Sequence, residues 1–298
     1  MPDHGYSSRP VRRVATIAAA AILLLSFGAS AASAGPDLER LPPAGAAGIV
    51  HARGLAGTGQ AAASPNMTWH GGPIITSTVV KAIFWGSSWG SPGDKISGID
   101  AFYGGVGNTG YMRTNTEYTG SNGQVGSAVS YAGHVTDLSA APRKAPRTSA
   151  VLAEVKKLIT NPVANGYYPV YIDQPRGHAG YCAWHSWDSI NGVPVQFGFF
   201  FKLDGDSGCD PQNPSGTDSQ GLEALANVTG HELSEFVTDP RGNAWYDGSG
   251  AENADKCAWT FGGNVSFGGH SWKVQGNWSN AAYDARSGYD GGGCIQTR

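Results

Sequence analysis

The chain is predicted to fold as a single α+β domain with a mixed sheet, one long late helix and an irregular C-terminal part held by disulfides. Strand-like runs and short helical runs come first, and a long helical segment, Gln220–Thr238, follows them. Beyond Pro240 the chain is rich in Gly, Asn and Trp, which is typical of loops and short strands. With 40% hydrophobic and only 14% charged residues, the chain can bury a core, which argues against disorder.

The N-terminus has the three parts of a secretory signal peptide. A basic stretch at 9–13 precedes an apolar one at 14–27, and an Ala-Ser-Ala cleavage site ends at Ala34. The apolar stretch is shorter than the ~20 residues that a spanning helix needs. We therefore expect residues 1–34 to be removed and the chain to be secreted and extracellular, with no membrane span after cleavage.

Residues 35–66 come next and are rich in Ala, Gly and Pro without hydrophobic periodicity. This composition is typical of a linker or a short pro-segment. We expect the folded domain to comprise residues 67–298. The whole chain carries a net charge of −3 and has no basic stripe, so a nucleic-acid partner is excluded.

The elements of the domain follow from their hydrophobic patterns. An apolar, β-branched run at 77–85 predicts a buried strand, and the run at 196–203 alternates so little that it predicts a central one. Apolar residues at helical spacing within 149–160 predict a helix. The other elements expected before the late helix are a short helix at 95–103 and strands around 128–131 and 168–172.

Four cysteines lie in the C-terminal half of the chain, and an even number in an exported protein indicates two disulfides. Three pairings are possible, and we favour Cys182–Cys209 and Cys257–Cys294 because these cysteines are neighbours in sequence. A zinc–thiolate cluster is the competing interpretation. It is disfavoured because the chain has no C-x-x-C pair.

The late helix has defined ends and one apolar face. Ser219 is a suitable N-cap and Pro240 stops the helix. The apolar face consists of residues three or four apart that should pack on the core, namely Leu222, Leu225, Thr229, Leu233 and Phe236.

The opposite side of this helix carries an H-E-x-x-E string. His231 and Glu235 are four residues apart and share a face, and Glu232 lies beside them. This resembles the zincin helix H-E-x-x-H, with glutamate in place of the second histidine. The resemblance implies that His231 and Glu235 bind zinc and that Glu232 is the catalytic base that activates a water. The alternative is an ordinary solvated helix face.

A third protein ligand for zinc is expected downstream of the helix. We rank Asp255 first, then Glu252, then Asp239, and expect the disulfide of Cys257 to fix the loop that carries the first two. The alternative is that these carboxylates only shape turns. Two further histidines, His185 and His70, are candidates for a third ligand, for contacts to the ligands or for stabilising an oxyanion. An ordinary structural histidine is the alternative for each.

Several strings together resemble the phosphate-induced protein 1 family, called EXORDIUM proteins in plants. They are WHGGP at 69–73, FWG at 84–86, GYCAWHS at 180–186, the helix string through Asp239-Pro240, and ENADKC at 252–257. The resemblance spans most of the mature chain. It implies an EXORDIUM-like protein secreted to the cell wall or apoplast.

These observations favour a secreted zinc-dependent hydrolase, most simply a peptidase, of zincin-like fold acting on extracellular peptides or proteins. The alternative is a non-catalytic EXORDIUM-like wall protein with a structural metal site, or with a surface that binds wall polysaccharide. For the latter, sugar could stack on Trp259, Trp272 and Trp278. An accidental H-E-x-x-E string without any metal is the third hypothesis.

Overall fold

The computed structural model describes residues 1–3, 41–55, 66–212 and 218–298. All of its elements lie in one compact unit, Pro36–Arg298; the predicted signal peptide lies almost wholly outside the described residues. The helices are α1 Lys95–Val106, α2 Gly110–Arg113, α3 Thr148–Leu158, α4 Gln220–Thr238 and α5 Asn280–Ala285, with 3₁₀ turns at Ser87–Gly90, Thr114–Glu117 and Asp255–Cys257. The strands are β1 Ala47–His51, β2 Thr68–Trp69, β3 Thr78–Trp85, β4 Thr119–Gly120, β5 Gly123–Gln124, β6 Val129–Asp137, β7 Gly166–Pro175, β8 Tyr181–Ile190, β9 Val193–Lys202, β10 Trp245–Tyr246, β11 Val265–Phe267, β12 His270–Trp272, β13 Asn277–Trp278 and β14 Cys294–Ile295.

A mixed sheet of six strands forms the centre of the fold, in the order β1-β8-β9-β7-β3-β6. Strands β9, β7, β3 and β6 run parallel to one another, whereas β8 is antiparallel to β9 and β1 is antiparallel to β8. The central strand predicted at 196–203 is confirmed, because β9 lies between β8 and β7 and its residues 195–201 are buried. The predicted α+β class with a mixed sheet is therefore confirmed.

Two strands of the sheet, β8 and β1, have no counterpart among the strands predicted from the sequence, and β8 is the longer of them. Its first six residues are buried on both faces, yet they include Cys182, His185 and Ser186. A strand whose buried positions are polar shows neither an apolar run nor a clean alternation, and these are the two signals that identify strands. His185 reaches the site described below, whereas Ser186 donates to the carbonyl of Gly45 and Cys182 forms a disulfide with Cys209.

Helix α4 begins and ends where the sequence predicts. The hydroxyl of Ser219 accepts a hydrogen bond from the N–H of Leu222 at 3.2 Å, and the helix ends at Thr238. Its apolar face packs on the sheet: the ring of Phe236 stacks on Tyr167 with 4.6 Å between ring centroids. The other face is also buried, so the interpretation of H-E-x-x-E as a solvated face is wrong.

The domain reaches further towards the N-terminus than expected. Within the predicted linker 35–66, strand β1 pairs with β8, and the side chains of Val50 and Ala52 are buried in the core. Residues 35–40 and 56–65 lie outside the described part. Strand β1 has only five residues, and two of them are Ala47 and Gly48. It therefore carries too little apolar surface to be recognised as a strand within an Ala/Gly-rich stretch.

Both disulfides have the favoured pairing: Cys182–Cys209 joins β8 to the loop after β9, and Cys257–Cys294 lies in the irregular C-terminal part. Trp272 and Trp278 are 0% and 7% exposed, so they do not form the sugar-stacking surface considered from the sequence. Across the described residues, no helix has both the length and the apolar character to cross a membrane.

Candidate metal centre

Four elements bring ionisable side chains together behind the central sheet. Helix α4 supplies His231, Glu232 and Glu235, and β8 supplies His185; all four side chains are 0% exposed. The loop after α4 supplies Glu252 and Asp255, and β1 covers the group from the N-terminal side, as described below. Charged side chains are rarely buried to this extent unless they pair with one another or bind metals.

The first group of potential ligands consists of His231, Glu235 and Asp255. Nε2 of His231 lies 2.9 Å from Oε1 of Glu235 and 3.5 Å from Oδ1 of Asp255. The main-chain N–H of Asp255 donates to Oε1 of Glu235 at 2.9 Å, which ties the loop to the helix. Asp255 opens a 3₁₀ turn that ends at Cys257. The disulfide to Cys294 therefore anchors the loop, as the sequence predicts.

The second group consists of His185, Glu232 and the same Glu235, whose ligand atoms lie within 4.8 Å of one another. Nδ1 of His185 is 3.0 Å from Oε2 of Glu232 and 3.9 Å from Oε2 of Glu235. The other ring nitrogen, Nε2, is 3.8 Å from Oε2 of Glu252. His185, considered from the sequence only as a secondary candidate, is thus at the centre of this group.

Several polar atoms of the site are buried and have no hydrogen-bond partner among the described residues. A buried polar atom without a partner costs about 1–3 kcal/mol, more if charged, so such atoms are rare unless they bind something. Nε2 of His231 and Oε1 of Glu235 are close, but the geometry between them is not that of a hydrogen bond. This is expected of two atoms that bind the same ion. The partnerless atoms are Nε2 of His185 and His231, Oε1 of Glu232, Oε2 of Glu235 and Glu252, and Oδ2 of Asp239.

Burial dominates the electrostatics of the carboxylates. It raises the pKa of Glu232 and of Glu252 well above the usual range. Burial, and after it the charge of Asp255, raises the pKa of Glu235 to about 7. Without a counter-ion, these groups avoid ionisation because two or more like charges cannot share a dry site. A divalent cation would reverse this preference.

The two histidines respond in opposite ways. Burial, together with the positive charge of His231, lowers the pKa of His185 to about 3, so this imidazole is neutral. Burial also opposes protonation of His231, but Glu235 and Asp255 outweigh it and raise the pKa of His231 well above its ordinary value. A neutral imidazole is the form that binds metals.

Gln275, which the sequence does not single out, orients His231. Its side-chain amide contacts Nδ1 of His231 at 2.9 Å and the carbonyl of Ala254 at 2.7 Å. Because this amide nitrogen donates to Ala254, it also faces Nδ1 as a donor. Metal-binding histidines instead donate their second ring N–H to an acceptor, so binding through Nε2 would require the Gln275 amide to turn and give up its bond to Ala254.

Strand β1 closes the site with main chain instead of side chain. Gly48 has φ +50° and approaches so closely that a Cβ atom there would lie 2.2 Å from Oε2 of Glu235 and from the ring of His185. Two residues along, the main-chain N–H of Val50 is near enough to the Glu232 carboxylate to oppose the rise of its pKa. Only glycine fits this approach.

A cavity of about 550 Å³ adjoins the site. It is lined by β1 and by the loop after α4, and Asp255 and Glu252 form part of its wall. Trp187, 39% exposed, and Tyr246 flank it. The cavity can bring a ligand of peptide or sugar size to Glu252 and Asp255 at the edge of the site.

Two further residues predicted near the site have structural contacts. Oδ1 of Asp239 accepts hydrogen bonds from the N–H groups of Asn243 and Ala244, both at 2.7 Å, and so shapes the turn after α4. His70 is exposed and stacks on Tyr246 with 3.6 Å between ring centroids. Neither belongs to a potential ligand group among the described residues.

The chain matches no protein-family model, no curated protein and no solved structure with which it was compared. Its function must therefore be inferred from the chemistry of this site.

Proposed function

We propose that the chain is a secreted metal-dependent hydrolase that cleaves peptides, with zinc as its metal. The observation that carries the proposal is the convergence of His231, Glu235 and Asp255 in a buried position where Nε2 of the histidine has no hydrogen-bond partner. One imidazole and two carboxylates are a donor set that zinc accepts, with a further position left for water. The similarity of α4 to the zincin helix supports the same assignment.

Glu232 is the residue proposed to take the proton from the attacking water. Oε2 of Glu232 is held by His185, but Oε1 is buried without a partner and is therefore available for a water. Burial raises the pKa of Glu232, and a bound cation would restore its ionised form, which is the form that accepts the proton of the water. Zinc at the neighbouring group would supply the other half of the chemistry, by lowering the pKa of water to about 7.

The cavity defines how a substrate reaches the site. Its walls combine main chain from β1 with the aromatic side chains of Trp187 and Tyr246, and Asp255 lies in its lining. Main-chain donors and acceptors beside apolar rings suit an extended peptide. We therefore propose extracellular peptides or proteins as substrates.

Secretion and family membership are part of the proposal. Two disulfides and the predicted signal peptide agree with an oxidising, extracellular compartment. The similarity to the phosphate-induced protein 1 family suggests a location at the cell wall. A zincin-like fold is proposed on the same basis, from α4 and the mixed sheet.

The test is peptide hydrolysis by the secreted protein, assayed with a library of fluorogenic peptides before and after chelation. We expect chelation to stop turnover, zinc to restore it, and Glu232→Gln to lower kcat about 10²–10⁴-fold while leaving zinc bound at His231, Glu235 and Asp255. Glu223→Gln is the matched control, since Glu223 is buried on the same helix but binds the N–H of Lys273. Turnover that survives both chelation and Glu232→Gln would refute the proposal.

A second candidate function is polysaccharide binding without catalysis. The exposed indole of Trp187, beside Tyr246 and the stacked His70, gives the cavity an aromatic wall. Aromatic rings of this kind stack on sugars. Binding of wall polysaccharide that is lost in Trp187→Ala, without any hydrolysis, would favour this candidate.

A further inference from the structure

The carboxylate of Glu235 serves two groups at once. Its Oε1 lies 2.9 Å from His231 Nε2 and accepts from the N–H of Asp255, while its Oε2 lies 3.9 Å from His185 Nδ1. The two histidines thus belong to different ligand groups, and both groups contain Glu235. A carboxylate between two sets of ligands is the geometry of a bridging ligand.

We propose that the site holds two divalent cations bridged by Glu235, and this proposal rests on the metal site of the proposed function. The first cation is bound by His231, Asp255 and Oε1 of Glu235. The second is bound by His185, Oε2 of Glu232 and Oε2 of Glu235. Nitrogen and carboxylate donors of this kind suit zinc or manganese. Bridged cations in hydrolases lie about 3.5–4 Å apart.

The surroundings of His185 match those of a metal ligand. If Nδ1 binds a cation, Nε2 carries the proton, and the nearest charged acceptor is Oε2 of Glu252, 3.8 Å away. A carboxylate behind the second nitrogen fixes the ring and makes it a better donor. The 3.8 Å separation is longer than a hydrogen bond, so Glu252 becomes a positioning residue only when the two atoms draw together as the second cation binds; it is not needed as a ligand of the first.

Charge balance favours two cations over one. Four carboxylates converge, those of Glu232, Glu235, Glu252 and Asp255, and the first three are almost fully buried. One divalent cation leaves two of four negative charges uncompensated, whereas two cations balance them. Uncompensated charge in a buried site is expensive.

The second cation changes the chemistry without removing Glu232 as the base. Oε2 of Glu232 turns to the cation, and Oε1, which has no partner, remains for the water. Two cations could bind the attacking water and the oxygen of the scissile carbonyl at the same time, which a single ion does less well. The proposed hydrolase would then work as a binuclear enzyme.

The experiment is titration of the chelator-treated, full secreted chain with Zn²⁺ by calorimetry, together with electron paramagnetic resonance of the Mn²⁺-loaded protein. We expect two ions per chain in the wild type and one in His185→Ala. The Mn²⁺ spectrum should show two exchange-coupled ions. His185→Gln, which keeps the size of the side chain, replaces His185→Ala if that variant does not fold; the wild-type spectrum needs no variant.

The outcomes separate this proposal from the proposed function. One ion per chain, with an uncoupled Mn²⁺ spectrum and unchanged content in His185→Ala, overturns the second site but leaves a mononuclear hydrolase. Two coupled ions without peptide turnover support the binuclear centre and refute the hydrolase. No ion at all overturns both.

Discussion

Replacing Gly48 by alanine should damage the fold and the metal centre together. Gly48 has φ +50°, a conformation that costs an L-residue about 1–2 kcal/mol. Its Cβ would also lie 2.2 Å from Oε2 of Glu235 and from two atoms of the His185 ring. Overpacking of this kind costs about 1–3 kcal/mol. Because β1, α4 and β8 meet at this point, none of the three can move without disturbing the others.

Gly54→Ala is the matched control. Gly54 also has a positive φ, +76°, but a Cβ there would meet no atom of the described residues within 4 Å. Both variants carry the backbone cost, so the difference between them isolates the overlap at the site. We expect Gly48→Ala to be less stable than Gly54→Ala by about 1–3 kcal/mol.

The assay is urea unfolding of the metal-free variants, followed by zinc titration. A constant m-value would show that the difference lies in stability and not in the compactness of the unfolded state. Zinc affinity should fall in Gly48→Ala and stay unchanged in Gly54→Ala. Equal stability and equal zinc affinity in the two variants would contradict the placement of β1 against the site.

Three further predictions follow from individual contacts. Gln275→Leu should weaken zinc binding about 10–100-fold, measured by competition with a chromophoric chelator, because it removes the group that orients His231; unchanged affinity would contradict this role. Burial, and after it the hydrogen bond with Asp137, raises the pKa of Glu154 from 4.5 to about 7. The protonated form of Glu154 therefore stabilises the fold; this contribution is complete below about pH 4.5 and is lost as the pH rises through 7. Unfolding between pH 4.5 and 8 should show this loss in the wild type and not in Glu154→Gln, and an equal slope in both would count against it. Replacing either disulfide, Cys257–Cys294 or Cys182–Cys209, by serines should lower the free energy of unfolding by about 4 kcal/mol, because the unfolded chain gains loop entropy. Zinc affinity should fall further when Cys257–Cys294 is replaced, since this disulfide anchors the loop of Asp255. A larger fall for Cys182–Cys209 would contradict that anchoring.

The parts of the fold that depend on local signals could be predicted from the sequence. Helix α4 has the bounds expected of it because its N-cap, its apolar face and its terminating proline are all local features. The same holds for the central strand β9, whose apolar run is continuous. The return of Asp255 to the helix could also be anticipated, since Cys257 lies two residues away and its disulfide restricts where that loop can lie.

The parts that depend on distant contacts could not be predicted. Strand β1 becomes a strand because it pairs with β8, about 130 residues further along the chain. Gln275 contacts His231 across 44 residues, and no spacing rule marks such a pair. Strand β8 was hidden because polar residues interrupt its apolar run, so His185 looked like an ordinary structural histidine.

The central claim, that the buried histidines and carboxylates bind a divalent cation, is tested most directly by elemental analysis of the secreted protein after purification without chelators. Wild type, His231→Ala and His134→Ala are compared, the last being a control because His134 pairs with Asp100 outside both ligand groups. We predict bound zinc in the wild type and in His134→Ala, and a loss of zinc in His231→Ala. Wild-type protein without metal, or equal metal content in all three proteins, would contradict the account.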